Sequence, residues 1–249
     1  MATEESLFTV YEEYLSRTNY RETFTIMRMS VQSSHVNFGS ERSCLAIGAG
    51  VGEFEIEFIK HCAVNVSKFL AVEPDHESVE HLRTSLKTSL PGVESQVFET
   101  TLQNWEGLSD PVDLILIFHS IYYFEEDRWQ EWFKRMHDLW LTSGGYVVIV
   151  MASRVKCPGN GQLIFEQLGR PIPQLEDVEA YLQKAGFAKL HAYETRKEID
   201  LANPSESLLR FYQYAGRVPT TLDDVRHAMK ELYPQGKVDD FDTIAVYKK

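Results

Sequence analysis

Three glycines at alternate positions, Gly48, Gly50 and Gly52, follow a short apolar run over residues 44–47. Glycine has no Cβ, so a backbone bent at these positions lets a ligand lie against the main chain. From Phe54 through Ile56 and Ile59 the apolar residues take up helical spacing. Strand, glycine turn and helix in that order form the crossover that cradles a nucleotide. On its own, Gly48-Ala49-Gly50-Val51-Gly52 also fits a plain strand-to-helix turn. A carboxylate strengthens the first reading. Glu73 stands 25 residues after Gly48, at the tip of a second apolar run over 68–72, and Pro74 and Asp75 follow it. At the end of the second strand of a βαβ unit, a carboxylate lies beside the glycine turn and can accept both hydroxyls of a ribose. The alternative is a solvated strand-end charge. Pro74 stops the strand for want of an N–H, and Asp75 is placed to cap the next helix.

A second set of reactive side chains follows the most apolar run of the chain, residues 112–118. There the sequence reads His119-Ser120-Ile121-Tyr122-Tyr123-Phe124. In an open α/β sheet the carboxyl end of the fourth strand lies across the switch point from the glycine turn, so this stretch is the candidate substrate wall. Thr100 and Thr101 end the third strand, where their hydroxyls can meet a base or ribose or simply cap a helix. His119 reads either as a reacting group or as a buried histidine bonded to backbone.

The elements that must position these residues are legible from periodicity. Two amphipathic helices within residues 5–35, rich in aromatics and Met, precede the first strand and read as a lid or as a capping layer. Strands are expected over 44–47, 68–72, 92–98, 112–118, 146–151, 187–195 and 242–247. A helix over 127–141 carries Trp129, Trp132, Phe133, Met136 and Trp140 toward the core and ends at Ser143-Gly144-Gly145. Residues 152–173 form a Gly- and Pro-rich insert around Phe165, of the kind that makes a binding loop. Helices follow over 175–185, closed by Gly186, over 204–216, and over 221–233, capped by Thr221 and Asp223. The last two strands fall outside the βαβ rhythm, which predicts an antiparallel pair. The expected fold is α/β: a seven-stranded, mostly parallel sheet with helices on both faces. It forms a single domain over 1–249, comprising an N-terminal helical lid (1–38), a cofactor core (39–151) and a substrate-side region (152–249).

Composition narrows the function. The 249 residues carry a net charge of −12, which disfavours nucleic acid as a partner and is compatible with a cationic small substrate, although a solvated acidic surface accounts for most of it. Cys44, Cys62 and Cys157 are odd in number and widely spaced, as reduced thiols in the cytoplasm would be. The opening Met-Ala-Thr-Glu-Glu has no basic, apolar leader, and no run approaches the ~20 apolar residues of a membrane span. A cytoplasmic monomer with no metal site and no membrane partner is expected.

Taken together, Ile47-Gly48-Ala49-Gly50-Val51-Gly52-Glu53, Val72-Glu73-Pro74, Ile121-Tyr122-Tyr123 and Asp242-Thr243 make the chain resemble the S-adenosylmethionine-dependent methyltransferases with a Rossmann-like sheet. Within these it is most similar to histamine N-methyltransferase and its relatives. The resemblance spans nearly the whole chain. It implies that S-adenosylmethionine is the cofactor, with Gly48 near its methionine end and Glu73 on its ribose. It also implies Ser78 near the adenosine, Thr100 or Thr101 by the adenine and Phe118 packed on the cofactor, with Ala49, Gly50 and Pro74 completing the cradle. On the substrate side it implies His119, Tyr123, Asp242, Glu22 and, in the insert, Phe165. His119 stands where the family has glutamine, Asp242 where it has asparagine, and the insert lacks the family's tryptophans.

The implied reaction is methyl transfer to a small amine or imidazole, histamine-like, histidine-derived or arylalkylamine. An imidazole keeps a lone pair near neutral pH, its unperturbed pKa being ~6.5. His119 and Asp242 would orient the acceptor nitrogen and take its proton, directly or through water. Transfer to oxygen or sulfur is a variant of the same reading. A nicotinamide oxidoreductase and a non-catalytic S-adenosylmethionine-binding protein share the glycine turn and the acid, and remain alternatives.

Overall fold

The computed structural model describes residues 7–33, 36, 38, 40, 42–153, 160–169, 171–216 and 220–249. The apolar runs become the central strands β1 (Ser43–Ile47), β2 (Lys68–Glu73) and β4 (Val112–Phe118). All three are buried almost end to end, as parallel strands covered on both faces must be. With β3 (Glu94–Glu99), β5 (Leu141–Ala152), β6 (Ala188–Asp200) and β7 (Lys237–Lys248) they form one seven-stranded sheet in the order β3-β2-β1-β4-β5-β7-β6. β7 runs against the other strands, pairing antiparallel with β5 on one side and with the edge strand β6 on the other. The order reverses between β1 and β4, so their carboxyl ends open a crevice.

Alternation along each strand fills two layers. Leu45, Ile47, Ile115 and Ile117 pack with Trp132 of α5 (Trp129–Arg135) and with Val178 and Leu182 of α7 (Leu175–Ala185). Cys44, Ala46, Leu114 and Leu116 face the other way, onto α2 (Tyr20–Ser33), α3 (Glu53–His61) and α4 (His76–Ser89). A third core lies beyond the sheet. There α1 (Leu7–Ser16), α6 (Leu163–Gln167), α8 (Glu206–Gly216) and α9 (Leu222–Leu232) gather around the outer ends of β6 and β7. The linker after α1 is stitched to β6: Asp200 N–H donates to Arg17 O at 2.9 Å and Glu198 N–H to Asn19 Oδ1 at 2.8 Å. Among the described residues no helix is long and apolar enough to cross a membrane.

Several boundaries move from their expected places. The helix over 127–141 resolves into a 3-10 turn, α5 and a single π turn ending at Trp140. Ser143-Gly144-Gly145 does not stop a helix. It is a bulge inside β5, where the partner of Val112 is Leu141 but that of Leu114 is Tyr146. Gly144 takes φ +80° there, and a Cβ on Gly145 would lie 2.8 Å from Asp113 O. β6 runs on to Asp200 and β7 starts at Lys237, each five residues longer at that end than expected. The cap of α9 is a reciprocal Thr221–Asp224 box; Asp223 instead pairs with Arg226. Asp75 caps α4 by accepting from Ser78 N–H at 2.8 Å, and Gly186, at φ +109°, closes α7. Cys157, Pro158 and Gly159 of the insert, and the first six residues, lie outside the described residues.

Candidate active site

A cavity of about 360 Å³ opens at the carboxyl ends of β1 and β4, within the size range of small-molecule sites. Its floor is the glycine turn. Gly48, Gly50 and Gly52 have φ of +66°, +52° and +79°, a region in which side-chain-bearing residues are strained. At Gly48 a Cβ would lie 2.4 Å from Ser120 Cβ, so the β1 turn and the loop after β4 touch. Ser120 Oγ ties them by donating to Ile47 O at 2.5 Å. At Gly50 a Cβ would meet nothing within 4 Å, so the turn faces open space where a ligand can lie.

Glu73 crosses to this turn. Gly50 N–H donates to its Oε2 at 2.8 Å and Asp75 N–H to its Oε1 at 3.0 Å. A carboxylate offers about four acceptor directions, so both oxygens keep capacity for two ribose hydroxyls. Burial raises the Glu73 carboxyl above its usual range, while these two N–H groups pull the other way. Pro74, Ser78, Thr101, Ala49 and Phe118 share the same wall. Thr100 does not: its hydroxyl turns to the Thr101 carbonyl and its N–H bonds the Glu73 carbonyl, which continues the β2–β3 ladder instead of facing the cavity.

The opposite wall comes from β4, β6, β7, α1 and α8. Asp242 is 1% exposed, and its Oδ2 meets Lys197 Nζ at 2.8 Å and His119 Nε2 at 3.5 Å. Lys197 also reaches Asp240 Oδ2 at 3.4 Å; the β6–β7 register sets it directly opposite Asp240. Asp240 is further held by Tyr14 Oη at 3.2 Å and Gln162 Nε2 at 2.8 Å, both donating. Burial alone would lift the Asp242 carboxyl, yet Lys197 and His119 hold it well below the usual range. Asp242, Gln162 and Tyr212 line the cavity, and their Oδ1, Oε1 and Oη atoms have no hydrogen-bond partner among the described residues. Buried polar atoms are seldom left so, which makes these residues candidates to meet a ligand.

His119 stands between the two walls. Its φ of +52° is unusual for a residue with a side chain, and its N–H is fixed to Val150 O at 2.9 Å. Strain of this kind costs on the order of 1–3 kcal/mol and clusters at functional sites. Tyr122 Oη accepts from Ala152 N–H and lies 3.4 Å from His119 Nδ1. With Tyr122 Oη beside Nδ1 and Asp242 Oδ2 beside Nε2, the ring has a hydrogen-bonding group at each nitrogen. Tyr123 and Phe165 border the same space. Glu22 does not join them. It is exposed on α2, accepts from Asn19 Nδ2 at 2.6 Å and lies outside the cavity, because α2 turns that side to solvent. Lys197, Asp240, Gln162, Tyr11, Tyr14 and Tyr212 line the cavity unannounced by any motif.

A glycine turn and a ribose-ready acid at the switch point of a mostly parallel sheet define a nucleotide-cofactor enzyme of the doubly wound class. The chain belongs to the methyltransferase-domain family, whose profile matches residues 19–192. No curated protein sequence matches it significantly. The cyclopropane synthase MmaA2 of Mycobacterium tuberculosis shares the fold with a TM-score of 0.58 at 16% identity, covering 90% of this chain and 83% of that one. The N-methyltransferase NodS of Bradyrhizobium japonicum gives 0.55 at 14%, covering 92% and 95%. The mycolic acid cyclopropane synthase CmaA1, complexed with S-adenosylhomocysteine and CTAB, gives 0.57 at 14%, covering 90% and 83%. The protein is an S-adenosylmethionine-dependent methyltransferase, and the family match sets the nicotinamide alternative aside. The open space at Gly50 and the spare capacity of Glu73 fit that cofactor.

Proposed function

We propose that the enzyme methylates a nitrogen of a small amine or imidazole. The observation that carries this reading is Asp242 Oδ1, a buried, unpartnered carboxylate oxygen in the cavity wall. Asp240, Asp242 and Lys197 together leave one net negative charge there, which suits an N–H donor or cation. The preference for nitrogen rests on this wall and not on the fold, which NodS shares with cyclopropane synthases.

In this reading Gly48, Ala49, Gly50, Glu73, Pro74, Ser78, Thr101 and Phe118 hold the cofactor, which supplies a methyl group already activated on a sulfonium. The chain's task is then positioning and exclusion of water. Asp242 Oδ1 accepts the acceptor's N–H and aims its lone pair, and Tyr123 and Phe165 enclose its apolar body. His119 stabilises the Asp242 carboxylate through Nε2–H. Nδ1, once Tyr122 gives way, can take the proton that the methylated nitrogen sheds. A cytoplasmic monomer is part of the proposal, consistent with the free Cys44 and Cys62 thiols.

The test is incubation with labelled S-adenosylmethionine and a panel of amines, imidazoles, phenols and thiols, with products identified by mass. Asp242→Asn is expected to lower kcat/KM for the amine about 10- to 100-fold, the worth of a charge-assisted hydrogen bond, with cofactor affinity unchanged. His119→Ala should also slow turnover. Wild-type rates in both variants, or methylation confined to oxygen or sulfur, would overturn the proposal.

A further inference from the structure

Glu55 sits in the first turn of α3, just past the glycine turn, and has no part in the site as described so far. It is 3% exposed and lines the cavity. Among the described residues no basic side chain pairs with it. Its carboxyl accepts from its own backbone N–H, and the ionisable groups that share its field are the Glu73 carboxyl from β2, the Tyr11 phenol from α1 and the Cys44 thiol from β1. None of these can bring positive charge. A buried carboxyl in such company is held neutral by burial, its pKa pushed up to about 8. Lys197, the buried cation of the cavity, is spent on Asp240 and Asp242.

Glu73, the glycine turn and Glu55 line one cavity, so a ligand with its ribose on Glu73 has room to extend its far arm toward the start of α3. On S-adenosylmethionine that arm ends in an α-ammonium. We infer that Glu55 is a second acidic anchor of the cofactor site, taking the α-ammonium of the methionyl arm and giving up its own proton to solvent as the ion pair forms. The balance is simple: the carboxylic acid and the ammonium become a carboxylate–ammonium pair, and one proton passes to the buffer. This rests on the cofactor assignment and is independent of the acceptor.

Calorimetry of three ligands separates the parts. S-adenosylhomocysteine keeps the ammonium but has no sulfonium. 5′-Methylthioadenosine keeps the nucleoside and lacks the amino-acid arm. Titrations run at pH 7 in buffers of different ionisation heat count the protons released. For the wild-type chain, S-adenosylhomocysteine is expected to release close to one proton and methylthioadenosine none. The affinity of the former should rise toward about tenfold per pH unit between pH 6 and 8, as linkage to one ionising group requires. Glu55→Gln, isosteric with the neutral acid, should bind S-adenosylhomocysteine at least about tenfold more weakly, bind methylthioadenosine as before and release no proton. Equal losses for both ligands, no proton release from the wild type, or release with methylthioadenosine as well would each overturn the inference. If neither ligand bound the wild type, the cofactor assignment itself would fall, an outcome distinct from a failure of Glu55 alone.

Discussion

Lys197 holds together the charged wall of the cavity, between Asp240 and Asp242. It is 6% exposed, salt-bridged to two aspartates and 5.7 Å from the Tyr14 ring centroid. Removing one partner from a buried cluster leaves uncompensated charge, so Lys197→Met is expected to destabilise the fold by about 3–5 kcal/mol at pH 7. Acid should shrink the loss, because the stranded aspartates can then take up protons. Urea unfolding of both chains at pH 7 and pH 4 measures this. No motif announced Lys197. A lysine in an extended run reads as solvent-facing until its neighbours are known. His119 and Tyr123 were legible as cavity residues because they follow the apolar run of β4, whereas Asp242, which lies inside β7, is named only by the family resemblance. Glu22 is named only by the family resemblance, and sequence does not say which face of α2 turns inward; the structure places it outside the cavity.

At the scale of elements, the strands with continuous apolar runs were plain, and the closing pair was legible only over its apolar half. The missing part of β6 and β7 alternates inward as Lys197 and Ile199 against Asp240 and Val238. Charged residues at the buried positions break the hydrophobic pattern on which strand reading depends. The glycine turn is the other element whose detail comes from contacts. Gly48→Ala is expected to lower Tm by several degrees, since its methyl meets Ser120 and its φ is left-handed, together worth on the order of 1–3 kcal/mol. Gly50→Ala, with nothing near its methyl, should unfold closer to wild type and lose cofactor affinity instead. Thermal melts paired with S-adenosylhomocysteine titration distinguish the two.

For the molecule as a whole, ionisation inside the cavity sets how stability varies with pH. Between its ordinary value and about 8, Glu55 holds a proton in the folded chain that the unfolded chain has released. Stability contributed this way is complete in acid and fades as pH rises through that window. Asp242, held low by Lys197 and His119, acts oppositely, stabilising above its ordinary value and losing that effect on acidification. Glu55→Gln is therefore expected to unfold at higher urea than wild type at pH 8 and to approach it at pH 5. The difference is a few kcal/mol at most, at about 1.4 kcal/mol per pKa unit.

Tyr14 donates to Asp240 across 226 residues of chain and stacks on Phe211 with ring centroids 4.0 Å apart. During biosynthesis α1 emerges from the ribosome long before α8 and β7, its partners in this roof. Until they arrive, α1 lacks most of its partners, and the wall that β7 and α8 give the cavity is missing from a nascent chain. Enclosure is thus one of the last acts of maturation, and a ribosome stalled short of β7 would display the glycine turn uncovered.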